Sequence, residues 1–301
     1  MRYATPAAFR AALDQRLNVE ALRTGLTTTR LRKRVAFELF LRRLVAVAHG
    51  RWVLKGAFAL DLRLDVATRP TKDIDLGRED SVDDAIEDIT AAQQLHLDDF
   101  FSFTATRTDA FEQTDEFAAV RFHVRAELAG RTFEQFVVDV GLTDPMPWTP
   151  DAITTSDFLA FADIEQVAIP AVPLAQHLAE KVHAYTRRYG DTQAASTRPK
   201  DLVDILLIAS AEPIDARALR ECLERTFEQR ARQPLPDALA NPPADWARPF
   251  GQLARDLGLE PSLDQAFAEA AAFLDPVLSG PASGRWNPAA RQWVDDRPPE
   301  D

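Results

Sequence analysis

The chain has 301 residues and a mass of 33.5 kDa; 46% of the residues are hydrophobic and 27% charged, the make-up of a folded protein with a sizeable core rather than a disordered one. Its formal net charge of −12 argues against an indiscriminately basic nucleic-acid binder but leaves room for a local basic patch. No apolar run approaches the ~20 residues that span a bilayer, and the opening MRYATPAAFRAALDQRL lacks the apolar centre of a signal peptide, so a cytoplasmic protein with no membrane partner is expected.

In chain order, residues 6–48 read as helices, with Thr5-Pro6 as a start signal and VAFELFLRRLVAVA as a broad apolar stripe. They carry the densest basic run, RLRKR, in which Arg30, Lys33 and Arg34 fall at spacings that permit one shared or adjoining helix face. Such a run is a solvated face or a nucleic-acid contact, and these three are kept as candidate RNA-binding residues. Next, Arg51 to Leu54 suggest a short buried strand, Lys55-Gly56-Ala57 a turn, and FALDLRL a restarted helix. DIDLG follows as a strand and VDDAIEDITAAQQ as a helix with an acidic start. FFSFTATRTDAF, FAAVRFHVRAEL and TFEQFVVDVGL alternate and are rich in β-branched or aromatic residues, which predicts three more strands, and GLTDPMPWTP closes the run with turn chemistry.

Beyond Pro170 the pattern is helical: PLAQHLAEKVHAYTRRYG with Gly190 past its end, RPKDLVDILLIASA with Pro199 near its first turn, then 216–231 and 263–278. The tail from Gly280 is rich in Pro, Gly and charge and is expected to pack poorly at its end. Cys222 is the lone cysteine, which excludes an internal disulfide and a cysteine zinc site and leaves an inert, half-buried helix thiol. The order α, mixed α/β, α predicts an α+β chain with a catalytic-looking lobe over 1–165 and a helical lobe over 166–301.

One stretch conflicts with simple packing. In RPTKDIDLGRED, Asp73 and Asp75 flank Ile74, and strand alternation puts both carboxylates on one face, where they repel. A divalent cation resolves the conflict, and Mg²⁺ prefers a few carboxylate oxygens together with substrate phosphates. Gly56 precedes the pair by 17 residues, in a turn that lets backbone amides approach phosphate oxygens. Asp139 in VVDVG supplies a third strand acid, so Asp73, Asp75 and Asp139 are the candidate metal ligands and catalytic acids. Lys72 either neutralises its neighbours or meets a nucleotide. Thr71 lies two residues before Asp73, and a phosphate there would place about two negative charges beside a cation site.

Strand, glycine turn, helix, Asp-x-Asp and a later strand Asp form a pattern similar to the DNA polymerase β-like nucleotidyltransferases. With KGA, TKDIDL, VVDVG, LAEKVHA and RPKDLVDI in this order, residues 50–210 resemble the AbiEii/AbiGii toxin family of nucleotidyltransferases, including the mycobacterial MenT-type toxins. The chain departs from that pattern at Ala57, where the family has Gly or Ser, so its turn has backbone amides but no hydroxyl to offer a phosphate. The resemblance implies a polymerase β-like lobe with a mixed sheet and a helical C-terminal lobe. It implies transfer of a nucleoside monophosphate from an NTP to a hydroxyl with release of pyrophosphate, on tRNA near its 3′ end, by the toxin of a toxin–antitoxin pair with a cognate antitoxin. Lys55, Gly56, Ala57, Thr71, Lys72 and Lys181 would then bind the nucleotide. Lys181 would act on the triphosphate and Asp201 would orient it from the helical lobe, across a cleft. Arg187, Arg198 and Lys200 would join the RNA or phosphate contacts. Two alternatives stand beside this reading: a transferase acting on a small-molecule or protein hydroxyl, and a non-catalytic nucleotide-binding regulator.

Overall fold

Threonines open the first two helices. Thr5 caps α1 (Pro6–Thr24) by accepting from the Ala8 amide at 3.2 Å, and Thr27 caps α2 (Thr28–Val47) in the same way through Arg30. Between them Gly25 takes a left-handed turn at φ 73° that ends α1. The structure, a computed structural model, describes residues 1–64, 70–108, 120–142, 147–189, 194–230, 233–257, 259 and 262–295. Gly190, positions 109–111 and 117–119 of two predicted strands, part of the 141–150 turn (143–146) and the tail end 296–301 lie outside the described residues. The chain divides into two units, Met1–Val172 and Pro173–Asp301.

In the first unit α2 is followed by β1 (Val53–Lys55), α3 (Gly56–Leu64), β2 (Asp73–Arg78), α4 (Val82–Gln94), β3 (Phe101–Arg107), β4 (Val120–Leu128), β5 (Arg131–Leu142), β6 (Asp151–Thr154) and β7 (Ala168–Ala171). These strands form a mixed sheet in the order β3-β4-β5-β2-β1-β7-β6. β2 runs parallel to β5 and β1 parallel to β7, while the remaining neighbours are antiparallel. Alternation sorts the sheet into two faces. Ile74, Leu76, Phe136, Val138 and Val140 are buried, and Phe136 meets Phe37 and Phe40 of α2 edge-on. The opposite face carries the polar residues of the same strands. Arg43 lies inside the core with both its terminal nitrogens on Asp99 at 2.8 and 2.6 Å, a fully buried pair satisfied by further carbonyls.

β6 and β7 correct the expectation that the strands end at the 141–150 turn. They extend the sheet beyond β1, and Pro170 is tolerated because β7 pairs with β1 only through Leu54 and Ala171.

The second unit contains α5 (Leu174–Thr186), the short pair β8 (Arg188–Tyr189) and β9 (Ala194–Ala195), α6 (Pro199–Ala211), α7 (Ala216–Arg230), α8 (Ala247–Asp256), α9 (Leu263–Leu278) and the hairpin β10 (Arg285–Asn287) with β11 (Gln292–Val294). The hairpin shows that the first part of the tail is packed: Trp286 is buried and donates to the Ala209 carbonyl at 2.7 Å, and Trp293 stacks on Phe273. Cys222 sits half-buried on α7, where burial pushes its thiol up. No described helix is long and apolar enough to cross a membrane.

Candidate active site

The β2–β5 pairing decides where the acids go. Asp73 stands opposite Val137 and Asp75 opposite Asp139, so all three carboxylates project from the polar face of two adjacent parallel strands. Each offers an oxygen, and these oxygens lie within 4.8 Å of one another. Hard oxygen donors at this spacing suit Mg²⁺ or Mn²⁺ rather than a thiophilic metal.

Several neighbours hold the acids in place. The Thr71 hydroxyl donates to Asp73 Oδ1 at 2.6 Å, which ties the residue before the strand to its first acid. Gly56 opens α3 with φ +65°, and a Cβ built there would lie 1.8 Å from Asp75 Oδ2. Glycine is thus required twice, by the left-handed backbone and by the close approach of the helix start to the carboxylate. Lys55 stands opposite Asp75 in the β1–β2 register, and its aliphatic chain runs over Gly77, where a missing Cβ leaves room. Ala57 is buried at the start of α3. It has no polar side-chain atom to offer a phosphate.

A fourth residue escaped the sequence reading. Arg121 of β4 is the register partner of Asp139 and donates to both its oxygens, Nε to Oδ1 and Nη2 to Oδ2, each at 2.6 Å. Its pKa is raised above the ordinary arginine value, first by these hydrogen bonds and then by the charges of Asp139, Asp73 and Asp75. The signal was present in RFHVR, whose alternation puts Arg121, His123 and Arg125 on one strand face. What the sequence withheld was the register that brings that face to Asp139.

Lys72 is exposed and, with Lys33, lines a cavity of about 460 Å³ on the β3–β4 side of the acids. Of the RLRKR run, only Lys33 lines this cavity. Arg30 bonds Asp61 at 2.7 Å and Arg34 bonds Glu38 at 3.0 Å, so both charges are engaged within their own unit.

The remaining predicted residues lie in the second unit. Lys181 on α5 is nearly buried and bonds two carboxylates of α6, Asp201 at 3.2 Å and Asp204 at 2.7 Å. Both aspartates pair with the lysine, and Asp204 is the nearer. Asp201 also accepts from Arg198 Nε at 2.7 Å. Arg187 is only 6% exposed, which does not suit an RNA contact, whereas Lys200 is half-buried at the start of α6.

The mixed sheet with its flanking helices is a nucleotidyltransferase fold, and this chain is a nucleotidyltransferase. Residues 39–271 match the family model described as nucleotidyl transferase AbiEii toxin, type IV toxin–antitoxin system, and the chain belongs to that family. Membership implies an NTP substrate and an antitoxin partner. Among solved structures, the chain is similar to MenT4, a nucleotidyltransferase toxin from Mycobacterium tuberculosis H37Rv. The two share 17% identity with a TM-score of 0.54, over 87% of this chain and 93% of that one. A putative nucleotidyltransferase from H. pylori shares 15% identity with a TM-score of 0.42, over 82% of this chain and 93% of that one. No curated protein shows a significant sequence match.

Proposed function

We propose that the chain transfers a nucleoside monophosphate from an NTP to an RNA hydroxyl, at the 3′ end of tRNA in the cytoplasm, with Mg²⁺ held by Asp73, Asp75 and Asp139. The observation that carries this reading is the gathering of those three carboxylates on adjacent strands, with the start of α3 packed against one of them. When bound, the metal supplies positive charge to the phosphate oxygens. The chain's own residues do the positioning. Thr71 fixes the carboxylate of Asp73, and the missing side chain at Gly56 lets backbone amides come close to phosphate oxygens. Arg121 orients Asp139, whose oxygens keep further lone pairs for a cation. Lys55 and Lys72 add charge at either side of the acids. Lys181 with Asp201 is assigned to the triphosphate on the family resemblance, and within its own unit the lysine is pre-oriented by two carboxylates.

The test is incubation with each α-labelled NTP and a tRNA pool, followed by sequencing of RNA 3′ ends. Label is expected at tRNA 3′ ends, and Asp73→Ala is expected to abolish transfer while leaving the circular dichroism spectrum unchanged. Label recovered in a metabolite or on a protein hydroxyl instead would overturn the RNA acceptor.

A further inference from the structure

The polar face of the sheet continues past the acids in one direction. From β5 it crosses to β4 and β3, where His123 stands opposite Val137 and Thr106, and Arg125 opposite Gln135 and Thr104. These residues, with Lys33 and Lys72, line the cavity of about 460 Å³ described above. In a chain of net charge −12, no described carboxylate lines it. Lys33, Lys72 and His123 have no ion-pair partner among the described residues. Arg125 has Glu127 at 3.3 Å, an exposed pair of the kind that gives way at little cost to a better anion.

We propose that this cavity is a phosphodiester subsite that holds the acceptor RNA strand next to the acids, a proposal that rests on the transferase reading above. Its direction follows from the chemistry. In the transfer, the acceptor hydroxyl releases its proton and its oxygen bonds the α-phosphorus, while the bond from that phosphorus to the pyrophosphate oxygen breaks. Entering and leaving oxygens stand roughly in line. The start of α3, on the β1 side of the acids, suits the phosphates of the NTP. The acceptor must then come from the opposite side, which is where β4 and β3 lie.

Distance and composition agree with this. At a strand spacing of ~4.8 Å, β4 is about 10 Å and β3 about 14 Å from β2, so the cavity takes the nucleotides just behind the terminal one. Lys33, Lys72 and Arg125 meet phosphates, Thr104 and Thr106 offer hydroxyls, and His123 offers a ring for a base to stack on. Cations interleaved with a stacking ring fit a single strand better than a free triphosphate.

The experiment measures fluorescence anisotropy of a labelled single-stranded RNA of about ten nucleotides, within the usual range of such sites, titrated with full-length protein at several salt concentrations. NTP binding is followed in parallel by calorimetry. Lys33→Ala combined with Arg125→Ala is expected to weaken RNA binding about 10-fold and to flatten the slope of log K against log salt by ~1.4, two phosphate contacts at ~0.7 each. NTP affinity stays unchanged, and the charge-retaining pair K33R/R125K keeps both RNA affinity and slope. An unchanged RNA affinity and slope in the double alanine variant would overturn the proposal, and so would a parallel loss of NTP affinity, which would make the cavity a nucleotide site. Wild-type protein that binds the RNA through these residues but transfers no label from any NTP to the tRNA pool would sink the transferase reading and leave the subsite standing.

Discussion

Replacing Arg121 by Gln should make the protein weaker without metal and more responsive to it. The guanidinium makes two bonds of 2.6 Å to Asp139, and the carboxylates of Asp73 and Asp75 lie beside them, with oxygens of the three acids within 4.8 Å. A charge pair about 4 Å apart near a protein surface attracts by about 4 kcal/mol before desolvation and side-chain ordering are subtracted. Arg121 is 37% exposed and Asp139 13%, so solvent screens much of this, leaving a net loss of about 1–2 kcal/mol in the variant. For a chain of this size each kcal/mol lowers the melting temperature by roughly 2–4 °C. The same change removes a positive charge from the proposed metal site, so the cation should bind the variant more tightly, and a ligand at 100 times its Kd adds ~2.7 kcal/mol. Differential scanning fluorimetry with EDTA and with MgCl₂ reads both effects. Arg121→Gln is expected to melt below wild type in EDTA and to show the larger upward shift in MgCl₂. Equal melting in EDTA, or equal shifts with magnesium, would refute the reasoning.

Four further outcomes are expected. Gly56→Ala places a Cβ on the Asp75 carboxylate and forces a left-handed alanine, so transfer should fall about 100-fold, with a stability loss of about 1–2 kcal/mol read by urea unfolding. Thr71→Glu puts a second carboxylate where a hydroxyl now donates to Asp73, so label transfer should be lost, while Thr71→Ser keeps it; a fully active Thr71→Glu would count heavily against the role of this site. Ser81→Ala removes the cap that accepts from the Asp84 amide at 3.1 Å at the start of α4, which should cost ~1 kcal/mol in thermal unfolding and leave NTP binding intact. Burial pushes the Glu38 carboxyl up, against the opposing pull of Arg34 and Ser156. Since the folded value then exceeds the unfolded one, its contribution to stability is present at low pH and falls as pH rises from about 4.3 through the raised value. The stability of wild type relative to Glu38→Gln should decline over that window in urea titrations at a series of pH values and stay level above it.

Much of the first unit was legible because its strands are half-buried: alternation in TFEQFVVDVGL marks one face for the core, and the same alternation puts Asp73, Asp75 and Asp139 on the other. What was hidden lacked that signature. β6 and β7 are four residues each, with Pro170 inside the second, and α8 contains Pro249 and Gly251 within ten residues. The tail hairpin is held by two tryptophans whose partners are far away in sequence, the Ala209 carbonyl and Phe273. Arg121 belongs to the same class. Its residue type and face can be read locally, but its bond to Asp139 depends on a β4–β5 register set by the whole hairpin. The RLRKR run shows another side of this: its spacing is local, but one of its partners, Asp61 for Arg30, lies 31 residues away, while Glu38, which bonds Arg34, is one turn on.

The two charged clusters meet like-charge crowding in different ways, and the difference bears on why a metal is proposed at one of them. On α5 and α6, Lys181 bonds Asp201 and Asp204, and Arg198 bonds Asp201, with both carboxylates fully buried. Removing one partner from such a buried pair costs about 3–5 kcal/mol. On β2 and β5, three carboxylates offer oxygens within 4.8 Å of one another, with Arg121 bonded to Asp139 and Lys55 opposite Asp75 in register. The acids of this second set remain partly exposed rather than sealed. Asp73, Asp75 and Asp139 are therefore open to an ion from solvent, which fits the metal proposed there. At Lys181 it would have to displace a lysine already held by two carboxylates.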